Sequence, residues 1–239
     1  MTLQTGHSAV VTGASSGIGQ AIALALAAEG LALRLVGRDT ERLEGTARAA
    51  KARSRDVGWS AVDLTNPRQI EDYAAQLRNE PIGVLVHSAG LYARGPHAER
   101  DSDEYARAFA ANVSGPMQLT QLLLPSLRRT QGQIVFINST QGLTPSAGVG
   151  MFAATQHALR AMADTLRDEV NADGIRVLTV YPGRTATPRQ ERIFAMEGRP
   201  YTPDRLLQPE DIATMIVASL KLPRTAEVTS LTIRPMLKA

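Results

Sequence analysis

Short apolar, β-branched runs alternate along this chain with longer stretches in which apolar residues recur at helical spacing. The runs Ser8–Thr12, Ala32–Val36, Gly58–Val62, Val84–His87, Gln133–Asn138, Arg176–Tyr181 and Glu227–Ile233 predict strands. The segments Gly17–Glu29, Thr40–Ala52, Pro67–Leu77, Ser102–Asn112, Met117–Arg129, Gly150–Asn171 and Pro209–Leu220 predict helices. Strand-helix alternation points to parallel pairing through βαβ crossovers rather than hairpins. Inner runs such as Gln133-Ile134-Val135-Phe136-Ile137 are apolar at nearly every position, as strands covered on both faces require. The pattern predicts an α/β fold, a single domain over residues 1–239 with a Rossmann-like, doubly wound sheet of about seven parallel strands. No internal repeat, low-complexity tract or linker divides it. The least regular stretch, residues 183–208, is rich in Pro, Arg and Thr and is expected to form a lid over a binding crevice.

Composition narrows this picture only by exclusion. Of 239 residues, 44% are apolar and 21% charged, as in ordinary globular domains. No apolar run approaches the roughly 18 residues of a membrane span. The N-terminal stretch Met1–His7 is too polar for a signal peptide, so a cytoplasmic location is expected. With no cysteine, disulfides, thiolate catalysis and Cys-based metal sites are ruled out, and no metal site is expected. The net charge of +3 comes from scattered Lys and Arg, which is no pattern for nucleic acid.

The first strand runs into Thr12-Gly13-Ala14-Ser15-Ser16-Gly17-Ile18-Gly19, which opens a helix. Glycines there permit a tight turn and close approach of backbone to phosphate, and the helix N-terminus offers free N–H groups and a positive dipole end. The spacing Thr-Gly-x-x-x-Gly-x-Gly resembles the short-chain dehydrogenase/reductase family, and the resemblance extends over nearly the whole chain. It implies that Gly13, Ser15, Ser16, Gly17, Ile18 and Gly19 hold a dinucleotide. It also implies that Asp63, followed by Leu64, contacts the adenine, and that Ser88, Ala89 and Gly90 form the turn after the fourth strand. There His87-Ser88-Ala89-Gly90 differs from the family's Asn-Asn-Ala-Gly at its first two positions. Asn112 matches the family's structural and proton-relay Asn, and Ser139 its catalytic Ser. Pro182, Gly183, Thr185 and Thr187 match the segment that holds the nicotinamide carboxamide.

The second strand ends Leu35-Val36-Gly37-Arg38-Asp39. A carboxylate at this end would bind a ribose 2′-OH and repel a 2′-phosphate. Gly37 stands where the acid of NAD-preferring relatives belongs, and the planar fork of Arg38 suits a phosphate. NADP(H) is therefore the expected cofactor, with Asp39 read as the cap of the following helix and Arg34 as a solvated edge residue.

The resemblance breaks at two positions. Ser139 and Phe152 are 13 residues apart, and Phe152 and Gln156 are 4 apart. These are the family's Ser-to-Tyr and Tyr-to-Lys separations. The family's Tyr protonates the substrate carbonyl, and its Lys, one helical turn on, lowers the Tyr pKa and holds the nicotinamide ribose. Phe152 keeps the ring without a proton, and Gln156 keeps hydrogen bonding without charge. Candidate substitutes are His87, Tyr92 and His157, although His157, next to Gln156, points about 100° away along a helix. Tyr181 is expected to pack under the nicotinamide.

Three readings follow. One is an NADP(H)-binding relative with impaired or absent carbonyl reduction, in a regulatory, sensing or silent-subunit role. Another is an active NADP(H)-dependent oxidoreductase acting on a carbonyl or alcohol substrate with a relocated proton donor. The last is an engineered knock-out of such an enzyme. Relatives associate through helices corresponding to residues 102–129 and 150–171, which implies a homodimer or homotetramer, or a hetero-oligomer with an active homologue. Met151, Phe194 and Met196 point to an apolar substrate, whereas Arg184, Arg189, Arg192 and Arg199 would attract an anionic group or simply form a solvated helix face.

Overall fold

In the computed structural model, which describes residue 3 and residues 6–54 and 56–237, the apolar runs become one sheet. Most of the polar N-terminal stretch read against a signal peptide lies outside the described residues. The strands are β1 (Ser8–Thr12), β2 (Ala32–Gly37), β3 (Val57–Ala61), β4 (Ile82–His87), β5 (Gln133–Ile137), β6 (Arg176–Pro182) and β7 (Ser230–Ile233). All pair in parallel, in the order β3-β2-β1-β4-β5-β6-β7. The order reverses between β1 and β4, and such a switch point opens a crevice at the carboxyl ends of the strands.

The helices are α1 (Gly17–Ala28), α2 (Thr40–Lys51), α3 (Pro67–Gln76), α4 (Ser102–Phe109), α5 (Gly115–Thr130), α6 (Gly150–Val170), α7 (Pro188–Met196) and α8 (Pro209–Leu220). Alternate strand residues feed two cores, one on each face. Val11, Leu33, Leu35, Val84, Val135 and Val180 pack toward Ile22 and Leu26 of α1, Leu43 of α2 and Ile212 and Ile216 of α8. Val10, Val36, Leu85, Ile134, Phe136 and Val177 pack toward Ile70 of α3, Leu119, Leu123 and Leu127 of α5 and Leu159 and Leu166 of α6. At roughly 1.5–3 kcal/mol for each fully buried large aliphatic side chain, these two layers are the main favourable term in folding. Among the described residues, no helix is long and apolar enough to cross a membrane.

Three local expectations change. Gly115-Pro116 reads as a break between two helices, yet α4 passes through a π-helical turn, Ala110–Ser114, directly into α5. Pro116 has no N–H to bond back into that turn, and a Cβ at Gly115 would lie 2.1 Å from the Leu64 carbonyl oxygen, so only glycine lets the helix pass this close. The stretch 183–208 contains a helix, α7, capped by the Thr187 hydroxyl accepting from the Gln190 N–H and started by Pro188. Arg34 is no solvated edge residue: it donates to both carboxylate oxygens of Asp56 at 2.8 Å and to Glu80 at 2.6 Å.

Candidate functional site

A crevice of about 520 Å³ opens over the carboxyl ends of the central strands. Every candidate cofactor residue named above lines it, as do Asn112, Ser139, Phe152 and Gln156. The turn after β1 is built on close backbone contacts. A Cβ at Gly13 would lie 2.7 Å from the Ala89 nitrogen, and one at Gly19 would lie 2.3 Å from the Gly13 carbonyl oxygen. Gly13 also has φ of +68°, in the left-handed region. Thr12, which the sequence reading passed over, fastens this turn to the one after β4: its hydroxyl accepts from the N–H groups of Ser88 and Ala89 at 3.1 and 3.2 Å. No side chain caps α1 and no acid stands in its first turn, so its N-terminal N–H groups face the crevice without a competing anion.

At the end of β2, Asp39 accepts from the Arg42 N–H at 3.0 Å and pairs with the Arg42 side chain at 3.3 Å. It is a cap, as expected. Among the described residues, Arg38, Arg189 and Arg192 line the crevice and enter no ion pair. Arg189 reaches from α7 to donate to the Gly90 carbonyl at 2.6 Å. Desolvation by the surrounding crevice walls, and then the like charges of Arg192 and Arg38, pull its pKa below the usual arginine value although the residue keeps solvent exposure. The crevice therefore holds uncompensated positive charge. Asp63 accepts from the backbone and hydroxyl of Thr65, both at 2.9 Å, which fixes its carboxylate at the rim.

Around α6 the side chains are tightly placed. Phe152 is 8% exposed and Gln156 4% exposed, one turn apart on the same helix face. The Gln156 amide donates to Thr155 Oγ1 at 3.3 Å. Asn138, another residue not singled out from sequence, ties β5 to this helix: its Nδ2 donates to the Gln156 carbonyl at 2.9 Å, and its Oδ1 accepts from the Ser139 N–H at 2.7 Å. Ser139 Oγ accepts from the Gln141 N–H at 3.2 Å, so its own proton remains available to donate into the crevice. Asn112 is buried in the π-helical turn, where its amide donates to the Leu91 carbonyl and to Thr155 Oγ1, both at 2.9 Å. Its Oδ1 accepts from the Leu91 N–H at 2.6 Å, which anchors the loop after β4.

The substitute proton donors separate clearly. His157 is exposed on the far side of α6. Tyr181 is buried and does not line the crevice, so it does not sit beneath the ligand as expected. His87 is 2% exposed; its ring stacks on Phe136 at 4.9 Å and its Nε2 bonds Thr120 at 2.8 Å. Burial pushes the His87 pKa down to about 3, which leaves it neutral and unfit as an acid. Both His87 and Tyr92 line the crevice, but Tyr92 is the one whose ring meets the α6 pair, its centroid 5.1 Å from that of Phe152. Met151, Phe194 and Met196 do not line the crevice: Met151 and Phe194 are buried elsewhere and Met196 is 66% exposed. They give no support to an apolar substrate.

His87 carries a prediction for stability. Its folded pKa of about 3 lies below the ordinary histidine value of 6.5, so the unfolded chain takes up a proton first as pH falls. The stability His87 permits is thus present above about pH 6.5 and lost on the way down toward the folded pKa. Between pH 7.5 and pH 5 the loss should be about 2 kcal/mol. Urea unfolding at both pH values checks this: His87→Asn should lose about that much less than the unmodified chain, and an identical loss in both would refute it.

The comparisons agree with this architecture. A family model described as short chain dehydrogenase matches residues 7–198. An uncharacterized oxidoreductase of Staphylococcus epidermidis is 30% identical over 231 residues, covering 95% of this chain and 96% of that protein. Glycine betaine reductase ATRR of Emericella nidulans is 32% identical over 239 residues, but the chain spans only 19% of that protein's length. Among solved structures, L-sorbose reductase from Gluconobacter frateurii, complexed with NADPH and L-sorbose, superposes with a TM-score of 0.90 at 27% identity, covering 100% of each chain.

Proposed function

The chain belongs to the short-chain dehydrogenase family, and from that premise we propose an NADP(H)-binding protein whose ordinary carbonyl reduction is impaired because Phe152 and Gln156 stand where the family's Tyr and Lys belong. The composition of the crevice carries the reading: among its described lining residues there is no lysine, and Tyr92 is the only phenol. The cofactor part is supported by the glycine cradle, the uncapped α1 terminus and Arg38, Arg189 and Arg192, which enter no ion pair among the described residues. A nicotinamide, when bound, supplies a hydride to a carbonyl carbon. Gly13, Ser15, Ser16, Gly17, Ile18 and Gly19 would hold the phosphates and Arg38 the 2′-phosphate. Asp63 and Leu64 would meet the adenine, and Ser88, Ala89, Gly90, Pro182, Gly183, Thr185 and Thr187 the nicotinamide end. Ser139 donates to the carbonyl oxygen, Asn112 holds the loop after β4, and Gln156 offers its amide to the ribose. No residue at position 152 delivers the proton, and that loss costs roughly 10²–10⁴ in rate.

Such a protein suits a regulatory, NADP(H)-sensing or silent-subunit role, as a homodimer or homotetramer or in a hetero-oligomer with an active homologue. Titration with NADPH and NADH, followed by NADPH consumption over a panel of aldehydes and ketones, tests it. NADPH should bind and turnover should stay near the buffer rate. Strong turnover overturns the impairment, and failure to bind either nicotinamide overturns the cofactor reading.

The contact between Tyr92 and Phe152 favours a second reading, in which Tyr92 serves as a relocated proton donor to a carbonyl or alcohol substrate. Under it, Tyr92→Phe should cut any residual turnover about 10²-fold with NADPH affinity unchanged. Turnover indifferent to that substitution removes Tyr92 from the chemistry.

A further inference from the structure

On the β6 side of the crevice, three guanidiniums gather on one carboxylate. Glu197, which follows α7, has a side chain only 8% exposed. Its Oε2 lies 2.9 Å from Arg184 Nη2 and 3.4 Å from Arg199 Nη1, and its Oε1 lies 3.2 Å from Arg94 Nη1. Burial by itself would raise the Glu197 pKa, but Arg184, Arg94 and Arg199 together hold it below the usual glutamate value. Arg184 and Arg199 also rest on the Phe194 ring, 4.9 and 5.2 Å from its centroid.

Two features of this cluster are left uncompensated. Three cations against one anion leave a surplus of two positive charges, and Arg184 Nη1 is buried without a hydrogen-bond partner. Arg94, Arg184 and Glu197 line the crevice. Arg94 is two residues beyond Tyr92, the ring that touches Phe152, and Arg184 directly follows Gly183. The cluster thus faces the Phe152 end and not the phosphate turn.

We propose that Arg94 and Arg184 bind a carboxylate on the molecule that occupies this end of the crevice, with Glu197 holding both guanidiniums oriented for it. The inference rests on the reading of the crevice as a cofactor and substrate site, and it names the substrate class as oxo acids. An arginine carries five N–H donors in a fixed fork, so one bonded to Glu197 through a single nitrogen still presents donors to a second carboxylate. Because Glu197 and Phe194 have already ordered these side chains, the ligand bears little of that entropic cost.

Calorimetric titration of 4-oxopentanoate against its neutral methyl ester, with and without NADPH, tests this. The carboxylate should bind about ten-fold more tightly or better. Arg184→Gln and Arg94→Gln should each bring that advantage toward unity, while Arg94→Lys retains part of it and NADPH affinity is unchanged. Arg94 is the more exposed partner, so its variants keep the test if Arg184→Gln fails to fold. Equal binding of the two ligands, binding of neither, or an advantage that survives the substitutions overturns the proposal. Loss of NADPH binding in the unmodified chain would overturn the cofactor reading alone, since the comparison without NADPH still decides this one.

Discussion

Replacing Phe152 with Tyr and Gln156 with Lys together should raise NADPH-dependent carbonyl reduction by roughly 10²–10⁴ over the unmodified chain. The tyrosine adds one hydroxyl to a ring already seated at the crevice, 5.1 Å from Tyr92, with its backbone on the rigid helix α6. The lysine then has two tasks, of which Gln156 can perform only the second. Its charge lowers the phenol pKa, and its ammonium donates where the amide now donates. Neither substitution should suffice alone. Phe152→Tyr by itself supplies a proton held too tightly, and Gln156→Lys by itself buries a charge with no phenol to tune. Position 156 is 4% exposed, so an unpaired ammonium there is costly. Lowered stability in the single lysine variant, partly recovered when NADPH is added, is the accompanying expectation. Steady-state rates over a carbonyl panel provide the check. A double variant that folds and binds NADPH yet stays inert would mean that the crevice lacks more than the acid.

Arg38→Asp should weaken NADPH binding on the order of 100-fold and change NADH binding by no more than a few-fold. Three observations set this contrast. Gly37 supplies no acid, and a Cβ there would lie in tight contact, 3.3 Å from a Leu43 methyl. Asp39 is engaged with Arg42. Arg38 is exposed and enters no ion pair among the described residues, so its charge is free for a phosphate. The substitution replaces attraction by repulsion beside an exposed anion, so the loss should shrink as salt is raised. Competitive titration of both nucleotides at low and high salt measures it, and equal losses for NADPH and NADH would remove Arg38 from cofactor choice.

Much of this was legible along the chain because the relevant signals are local. The two-residue alternation within Val10–Val11 and Leu33–Val36 sets which face each side chain takes. The glycines at 13, 17 and 19 must follow a strand and open a helix, and all three lie within seven residues. Phe152 and Gln156 share a face because four residues make one helical turn, whatever surrounds them. The cap of α7 was also written locally, as Thr187-Pro188, but the surrounding Arg and Pro residues masked it. Other features left no local trace. Burial of His87 depends on Phe136 and Thr120, on β5 and α5, and Arg34 is held by Asp56 and Glu80 from other elements.

By itself, then, the sequence determined the parallel α/β sheet, the glycine-rich turn after β1, the arginine at the end of β2 and the absence of a proton donor at position 152. Only the tertiary structure decided what the remaining groups can do at the crevice: it buried His87 as a neutral ring, brought Tyr92 to the Phe152 ring, and gathered Arg94, Arg184 and Arg199 on Glu197. The physical reason is one of range. Backbone periodicity and helical spacing are dictated within a few residues, whereas a contact between the loop after β4 and the segment after β6 exists only once the sheet has set their distance.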